Sequence, residues 1–369
     1  MKIVIIGGLS ESLLNFRYDL LVSLVDHGHE VIAMAGEKSE QIAGNLANIN
    51  VSFRSFSIQN SGLNPYKDLK SFLSLYKILY ELQPDVVMAY TIKPVVYGTL
   101  ASWLAGVNHR FVLITGLGYA FQGKNTRRLI HFLVCRLYKI ALKKAHKAIF
   151  QNPDDENLFR NLHLLPKKTP SCIINGSGID LIKYSPTHLS MAPSFLLVAR
   201  LLGDKGIREY VEAARHILSK TPCAVFNLVG WIDANPDSIS QHEIDAWVKE
   251  GIIQFHGRLN DVRPAIASSN IFVLPSYREG TPRSVLEAMS MGRPIITTDV
   301  PGCRETVVNG DNGFLVPMRS ATLLATAMQR FIDKPQLILT MGKRSRQIAE
   351  IKFDVNQVNT TMLREMGIT

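Results

Sequence analysis

The sequence predicts an α/β protein built as two Rossmann-like domains, each a mostly parallel sheet wrapped by helices. Three observations carry this. The chain has 369 residues, more than one hydrophobic core usually organises. Short β-branched runs alternate with amphipathic stretches of helix length, which implies parallel strands joined by helical crossovers. Near the middle, Asn175-Gly176-Ser177-Gly178-Ile179-Asp180 and Tyr184-Ser185-Pro186 interrupt the alternation and read as a hinge. The expected division is 1–185, 186–350, and a final helix within 351–369.

In the first domain, strands are expected at Lys2–Ile6, Glu30–Ala33, Asp85–Ala89, Arg110–Ile114, Ala148–Gln151 and Ser171–Ile174. Ligands of such sheets bind outside the carboxyl ends of the strands, so the loops there matter most. The first strand opens into Gly7-Gly8-Leu9-Ser10, which lacks the Gly-x-Gly-x-x-Gly dinucleotide fingerprint. Gly8 still offers backbone N–H to a phosphate at a helix start. The third strand opens into Thr91-Ile92-Lys93-Pro94 and the next into Thr115-Gly116-Leu117-Gly118-Tyr119. Lys93 offers a cation there, and Gly116 and Gly118 allow close backbone approach.

In the second domain, Phe195–Ala199 opens into Arg200-Leu201-Leu202-Gly203-Asp204-Lys205-Gly206, with a helix from about Ile207. An Arg fork and a Lys point charge in one loop suit a diphosphate. Strands Val225–Val229 and Ile252–Phe255 reach Gly230 and His256-Gly257-Arg258. Ile271–Leu274 and Ile295–Thr298 flank the stretch from Ser276 to Gly292. Thr281 is the expected N-cap of its helix, Pro282 the first helical residue and Gly292 the stop. Glu287 then stands in the second helical turn, and Glu279 in the loop that feeds it. Turns at Asp299–Glu305 and Asn309–Gly313 lead to strand Phe314–Val316, and a last helix is expected at Val355–Met366.

Composition bounds the class. Hydrophobic residues make up 46% and charged residues 20%, as in ordinary globular proteins. Cys135, Cys172, Cys223 and Cys303 form no Cys-x-x-Cys pair and no Cys/His cluster. A reducing compartment without disulfides or structural zinc is the expectation. Met1-Lys2 runs straight into a strand, so no signal peptide is expected. No apolar run approaches the roughly 20 residues of a spanning helix, and a soluble or peripheral cytoplasmic protein follows. The formal charge is +10, and residues 1–180 hold 20 Lys/Arg against 13 Asp/Glu. Gly123 to Phe150 contains Lys124, Arg127, Arg128, Arg136, Lys139, Lys143, Lys144 and Lys147, interleaved with apolar residues and without one acid. This predicts a basic amphipathic helix suited to anionic lipid, or else a core-facing helix with a solvated basic face. No nucleic-acid motif is present.

Glu279-Gly280 and Glu287-Ala288, two glutamates with seven residues between them, flanked by Leu274-Pro275-Ser276 and Gly292-Arg293-Pro294, resemble the signature of retaining glycosyltransferases of family 4. The resemblance spans nearly the whole chain and is strongest from Phe195 to Val316. It implies the GT-B fold, with two domains facing a cleft and the C-terminal helix returning to the first. It further implies that Glu287 holds the ribose hydroxyls of a nucleotide sugar and that Glu279, Gly280 and Thr281 lie by the donor sugar. Arg200 and Lys205 would neutralise the diphosphate so that the nucleotide departs without a bound metal. Arg258 would border the base, and Gly8 would lie near the diphosphate.

The segments at Lys93 and at Gly116 to Gly118 resemble a subgroup that extends lipid-linked bacterial surface glycans. The implied substrates are a nucleotide sugar, expected to be UDP-linked, and a polyprenyl-diphosphate-linked saccharide met at the membrane. Many family members carry a histidine on the loop after the fourth predicted strand; this chain has none there, and no histidine is assigned a catalytic role. A nucleotide-sugar epimerase of the same architecture would turn over donor without acceptor. A non-catalytic scaffold would tolerate loss of Glu287.

Overall fold

The computed structural model describes residues 1–58, 64–116, 128–233, 235 and 237–368. It separates into two compact units: Met1–Ser177 with Val358–Thr369, and Gly178–Gln357. The division therefore falls at Ser177/Gly178, whereas the sequence reading set it at 185/186. The returning segment begins inside the last helix at Val358.

The first unit runs β1 (Lys2–Ile6), α1 (Glu11–Asp26), β2 (Glu30–Ala35), α2 (Glu40–Ala47), β3 (Val51–Ser55), α3 (Pro65–Leu82), β4 (Val86–Tyr90), α4 (Thr99–Leu104), β5 (His109–Ile114), α5 (Arg128–Leu142), β6 (Lys147–Phe150), α6 (Pro153–Asn161) and β7 (Ser171–Ile173). The seven strands lie in the order β3-β2-β1-β4-β5-β6-β7, and every pairing is parallel. Central strands such as β1 and β4 are apolar on both faces, as a sheet covered by helices on both sides requires. Val358, Met362, Leu363 and Met366 of the last helix join the core built on β1, β2 and β4. β3 was not expected from the sequence: at the sheet edge only Val51 of its five residues is buried, so it lacks the apolar run that reveals its neighbours.

The second unit runs β8 (Ser194–Val198), α7 (Ile207–Leu218), β9 (Val225–Val229), α8 (Gln241–Lys249), β10 (Gln254–Phe255), α9 (Arg263–Ala267), β11 (Ile271–Leu274), α10 (Arg283–Ser290), β12 (Ile295–Thr298), β13 (Gly313–Val316), α11 (Ala321–Asp333) and α12 (Gln336–Lys352), and the last helix, α13 (Val355–Met366), starts here and passes into the first unit at Val358. Its strand order is β10-β9-β8-β11-β12-β13, again all parallel. In each sheet one pair of adjacent strands marks where the winding reverses, β1/β4 in the first and β8/β11 in the second. Crevices at the carboxyl ends of such pairs are where α/β sheets take ligands.

Two expectations need correction. α10 starts at Arg283, so Pro282 takes the N-cap position, without a side-chain cap bond of its own, and Thr281 lies before it. The basic stretch is also not one helix: α5 ends at Leu142 and Lys147 already belongs to β6. There Lys147 pairs with Glu365 at 3.0 Å, which makes it a structural cation. Lys124 and Arg127 lie outside the described residues.

Candidate active site

In the second unit, the loops after β8 and β11 flank the point where the winding reverses, and they carry Arg200, Lys205 and Glu279. Backbone geometry ties these loops together. Tyr277 N–H donates to the Asp204 carbonyl at 2.8 Å, and Glu279 N–H donates to the Pro301 carbonyl at 3.0 Å. Two glycines permit the approach. Gly206 (φ +70°) has the Pro275 carbonyl 2.1 Å from where a Cβ would stand, and Gly302 (φ +83°) has the Glu279 carbonyl at 2.3 Å. A side chain at either would suffer both the left-handed backbone and a collision with main chain.

The side chains within this frame are charged and mutually paired. Lys205 Nζ sits 2.6 Å from Glu279 Oε1, both mostly buried. Arg200 Nη1 meets Asp233 Oδ2 at 3.0 Å across the β8 and β9 ends, in a half-exposed pair. Arg258 stacks over the Trp231 ring at 4.9 Å. Asp204, beside Lys205, has one carboxylate oxygen buried without a hydrogen-bond partner. Burial pushes its pKa up, and the Lys205 charge opposes that shift. A cationic loop whose charge is balanced by carboxylates can receive an anionic ligand by exchanging partners.

Glu287 stands apart from these groups in character. It is buried in the second turn of α10. Its Oε1 accepts from the Tyr184 hydroxyl at 3.0 Å and from Arg283 Nε at 3.2 Å. Burial raises the pKa of its carboxyl group, against the pull of Arg283 one turn earlier. Its neighbour Arg293 is almost wholly enclosed. Its guanidinium donates to the carbonyls of Ile266, Thr187, Met291, His188 and Ala267 and to the Thr187 hydroxyl. Burial draws its pKa down to about 10. Arg293 therefore fixes the end of α10 rather than meeting a ligand. Sequence reasoning placed Glu287 but missed Tyr184 and Asp233 as partners; Tyr184 lies 103 positions away, and nothing local signals that pairing. Gly280 and Thr281 complete the loop between Glu279 and α10.

The first unit has its own pole at the β1/β4 pair. Gly7 and Gly8 follow β1, and the Gly8 carbonyl accepts from Gly36 N–H at 3.2 Å. Thr91, at the end of β4, is held at φ +67°, a strained position for a β-branched residue. Its hydroxyl oxygen is buried without a partner. A π-helical turn, Pro94–Gly98, follows, and such turns are frequent at functional sites. Lys93 points at Asp68 of α3, with Nζ to Oδ1 at 2.7 Å and both side chains nearly enclosed. Tyr97 also bonds to Asp68, and burial is the main cause of its raised pKa. Lys93 is thus matched by a carboxylate within the fold. Gly116 follows β5 beside this pole, whereas Gly118 lies outside the described residues.

Comparison with known proteins accords with this layout. The family model described as glycosyl transferases group 1 matches residues 192–334, and that described as glycosyl transferase 4-like matches residues 7–152. The chain is 30% identical to the N,N'-diacetylbacillosaminyl-diphospho-undecaprenol alpha-1,3-N-acetylgalactosaminyltransferase of Campylobacter jejuni, over 99% of this chain and 98% of that one. It is 31% identical to an Escherichia coli UDP-Gal:alpha-D-GlcNAc-diphosphoundecaprenol alpha-1,3-galactosyltransferase, over 76% and 74% of the two chains. Among solved structures, Anabaena HepE in complex with UDP superposes with a TM-score of 0.80 at 17% identity, covering both chains fully. Sucrose-phosphate synthase from Thermosynechococcus elongatus follows at 0.79 and 19%, over 99% and 98%. These two likenesses establish the GT-B fold of paired parallel-sheet domains. Both halves of the sequence, the fold and the full-length relative agree: the chain belongs to the group 1, family 4-like glycosyltransferases and is a glycosyltransferase.

Proposed function

We propose that this enzyme moves a hexose or N-acetylhexosamine, with retention of anomeric configuration, from a UDP-linked donor to a polyprenyl-diphosphate-linked saccharide. The observation that carries the reading is the set Arg200, Lys205, Glu279 and Glu287 gathered around the β8/β11 reversal. Two relatives that match most of the chain act, by name, on undecaprenyl-diphosphate-linked sugars, which supports that acceptor class.

In this reading the donor diphosphate replaces Glu279 on Lys205 and Asp233 on Arg200. Neutralised by both cations, the nucleoside diphosphate leaves as the acceptor hydroxyl attacks the anomeric carbon from the same face. The acceptor proton passes to the departing phosphate oxygen, so no protein nucleophile is needed. Stabilisation of developing charge by placed donors is usually the largest catalytic contribution, about 3–4 kcal/mol for one group. Freed from Lys205, Glu279 turns to the hydroxyls of the donor sugar. Glu287, oriented by Tyr184 and Arg283, accepts both ribose hydroxyls, while Arg258 and Trp231 border the base. Lys93, with Gly116 and Gly118, takes the acceptor diphosphate, Asp68 releasing Lys93 in exchange.

We infer that the enzyme works peripherally on the cytoplasmic face of the membrane. Arg136, Lys139 and Lys143 of α5 and the turn after it are exposed, and each basic residue near an anionic surface contributes about 1 kcal/mol. Among the described residues no helix is long and apolar enough to cross a membrane. The donor half of the proposal is tested by thermal stabilisation with a panel of nucleotide sugars. Stabilisation by UDP-sugars, lost in Arg200→Ala, supports it; a panel in which no nucleotide raises the midpoint overturns it.

A further inference from the structure

We propose that α3 is a second membrane-contacting element, which inserts an apolar stripe into anionic lipid beside the acceptor pole. The inference rests on the peripheral-membrane reading above and extends it to a helix that reading does not use. α3 is built with two opposed faces. One face buries Asp68, Ser71, Leu75 and Leu79 against the unit. The opposite face, which a water-exposed helix normally fills with polar residues, carries Tyr66, Leu69, Leu73 and Tyr80, exposed by 78, 55, 53 and 59%. At helical spacing these form one continuous line. An apolar line this long on a free surface marks an interaction site.

Charge selects the occupant. Lys67, Lys70 and Lys77 flank the line and are exposed. Of the acids on α3, Asp68 faces inward onto Lys93, and Glu81 lies 4.0 Å from Lys77. Apolar and phenolic side chains fringed by lysine match the boundary of an anionic bilayer, where the rings sit at headgroup depth and lysines reach phosphate. The surface continues across neighbouring helices. α4 packs against both α3 and α5 and exposes Trp103 and Leu104, while α5 exposes Phe132, Leu133 and Ile140. Lys144 lies over the Trp103 ring at 3.6 Å. Because Asp68 on the inner face of the same helix holds Lys93, lipid contact by α3 sets the acceptor pole at the membrane surface, where a lipid-linked diphosphate resides.

The test is co-sedimentation of the full chain with vesicles of phosphatidylglycerol and phosphatidylcholine, against phosphatidylcholine alone. Lys67→Gln and Lys70→Gln should each weaken partition to anionic vesicles about fivefold, the equivalent of about 1 kcal/mol per lysine. The pair Leu69→Ser and Leu73→Ser should weaken it about tenfold, with the melting midpoint used to confirm that each variant is folded. Tyr66→Trp should be quenched by brominated phosphatidylglycerol. If the α3 variants bind like the parent while Lys139→Gln with Lys143→Gln loses binding, the α3 proposal fails and the α5 reading stands. If the parent binds neither vesicle type, both fail. A bound Tyr66→Trp variant that escapes quenching also overturns insertion by α3.

Discussion

Glu287→Gln separates the stability of the fold from the binding of the donor. The side chain is buried, with Tyr184 and Arg283 both on Oε1, so the amide keeps the shape and loses the charge. Hydrogen bonds to a charged group contribute about 1.5–3 kcal/mol each, and two ribose hydroxyls are at stake. A net loss of about 3 kcal/mol, or about 100-fold in Kd, is the expected cost. At a donor concentration 100-fold above the parent Kd, ligand stabilises the parent by about 2.7 kcal/mol and the variant by about 0.4. The free enzyme should behave in the opposite sense. The Glu287 pKa is raised by burial, so its contribution to stability is complete below the ordinary carboxylate range. That contribution is lost as pH rises through the raised folded value. The amide cannot titrate. Ligand-free melting from pH 4 to 8 should therefore show the variant gaining on the parent as pH rises. A variant that binds donor like the parent, or a parent that gains on the variant with rising pH, would refute the reasoning.

Three further outcomes follow from the geometry. Lys205→Ala should lower kcat by about 100- to 1000-fold in steady-state assays, the range for losing one group that meets developing charge; a change under tenfold would exclude that role. Gly302→Ala places a Cβ 2.3 Å from the Glu279 carbonyl on a φ of +83°. It should cost about 1–3 kcal/mol in denaturant unfolding and depress activity through the Glu279 loop. Lys93→Ala leaves Asp68 in an enclosed site with the Tyr97 hydroxyl but without its counter-charge and should cost about 3–5 kcal/mol; adding Asp68→Asn should recover most of the stability while the acceptor KM stays high.

What the sequence revealed and what it hid have physical causes. Strands buried on both faces announce themselves as apolar runs, so β1, β9, β11 and β12 lie at their expected bounds. α13 does too, because its amphipathic pattern faces one core. β3 escapes because an edge strand buries little. The π-helical turn at Pro94–Gly98 escapes because Pro-Val-Val reads equally as strand or helix start. The cationic loop and the glutamate pair were visible because their spacing is local. The pairings were not: Lys205 meets Glu279 across 74 positions and Lys93 meets Asp68 across 25. Such ion pairs are made by the crossover of strands, which sequence spacing does not encode. Lys93 looked like a free cation for the same reason.

The most direct test of the account is transfer of labelled sugar from a panel of UDP-sugars to a synthetic polyprenyl-diphosphate-linked saccharide, with product stereochemistry read by NMR. An α-linked product from an α-linked donor is expected, formed by the parent and nearly abolished in Arg200→Ala and Glu287→Gln. A β-linked product, or release of free sugar with no acceptor product from any donor, would contradict it.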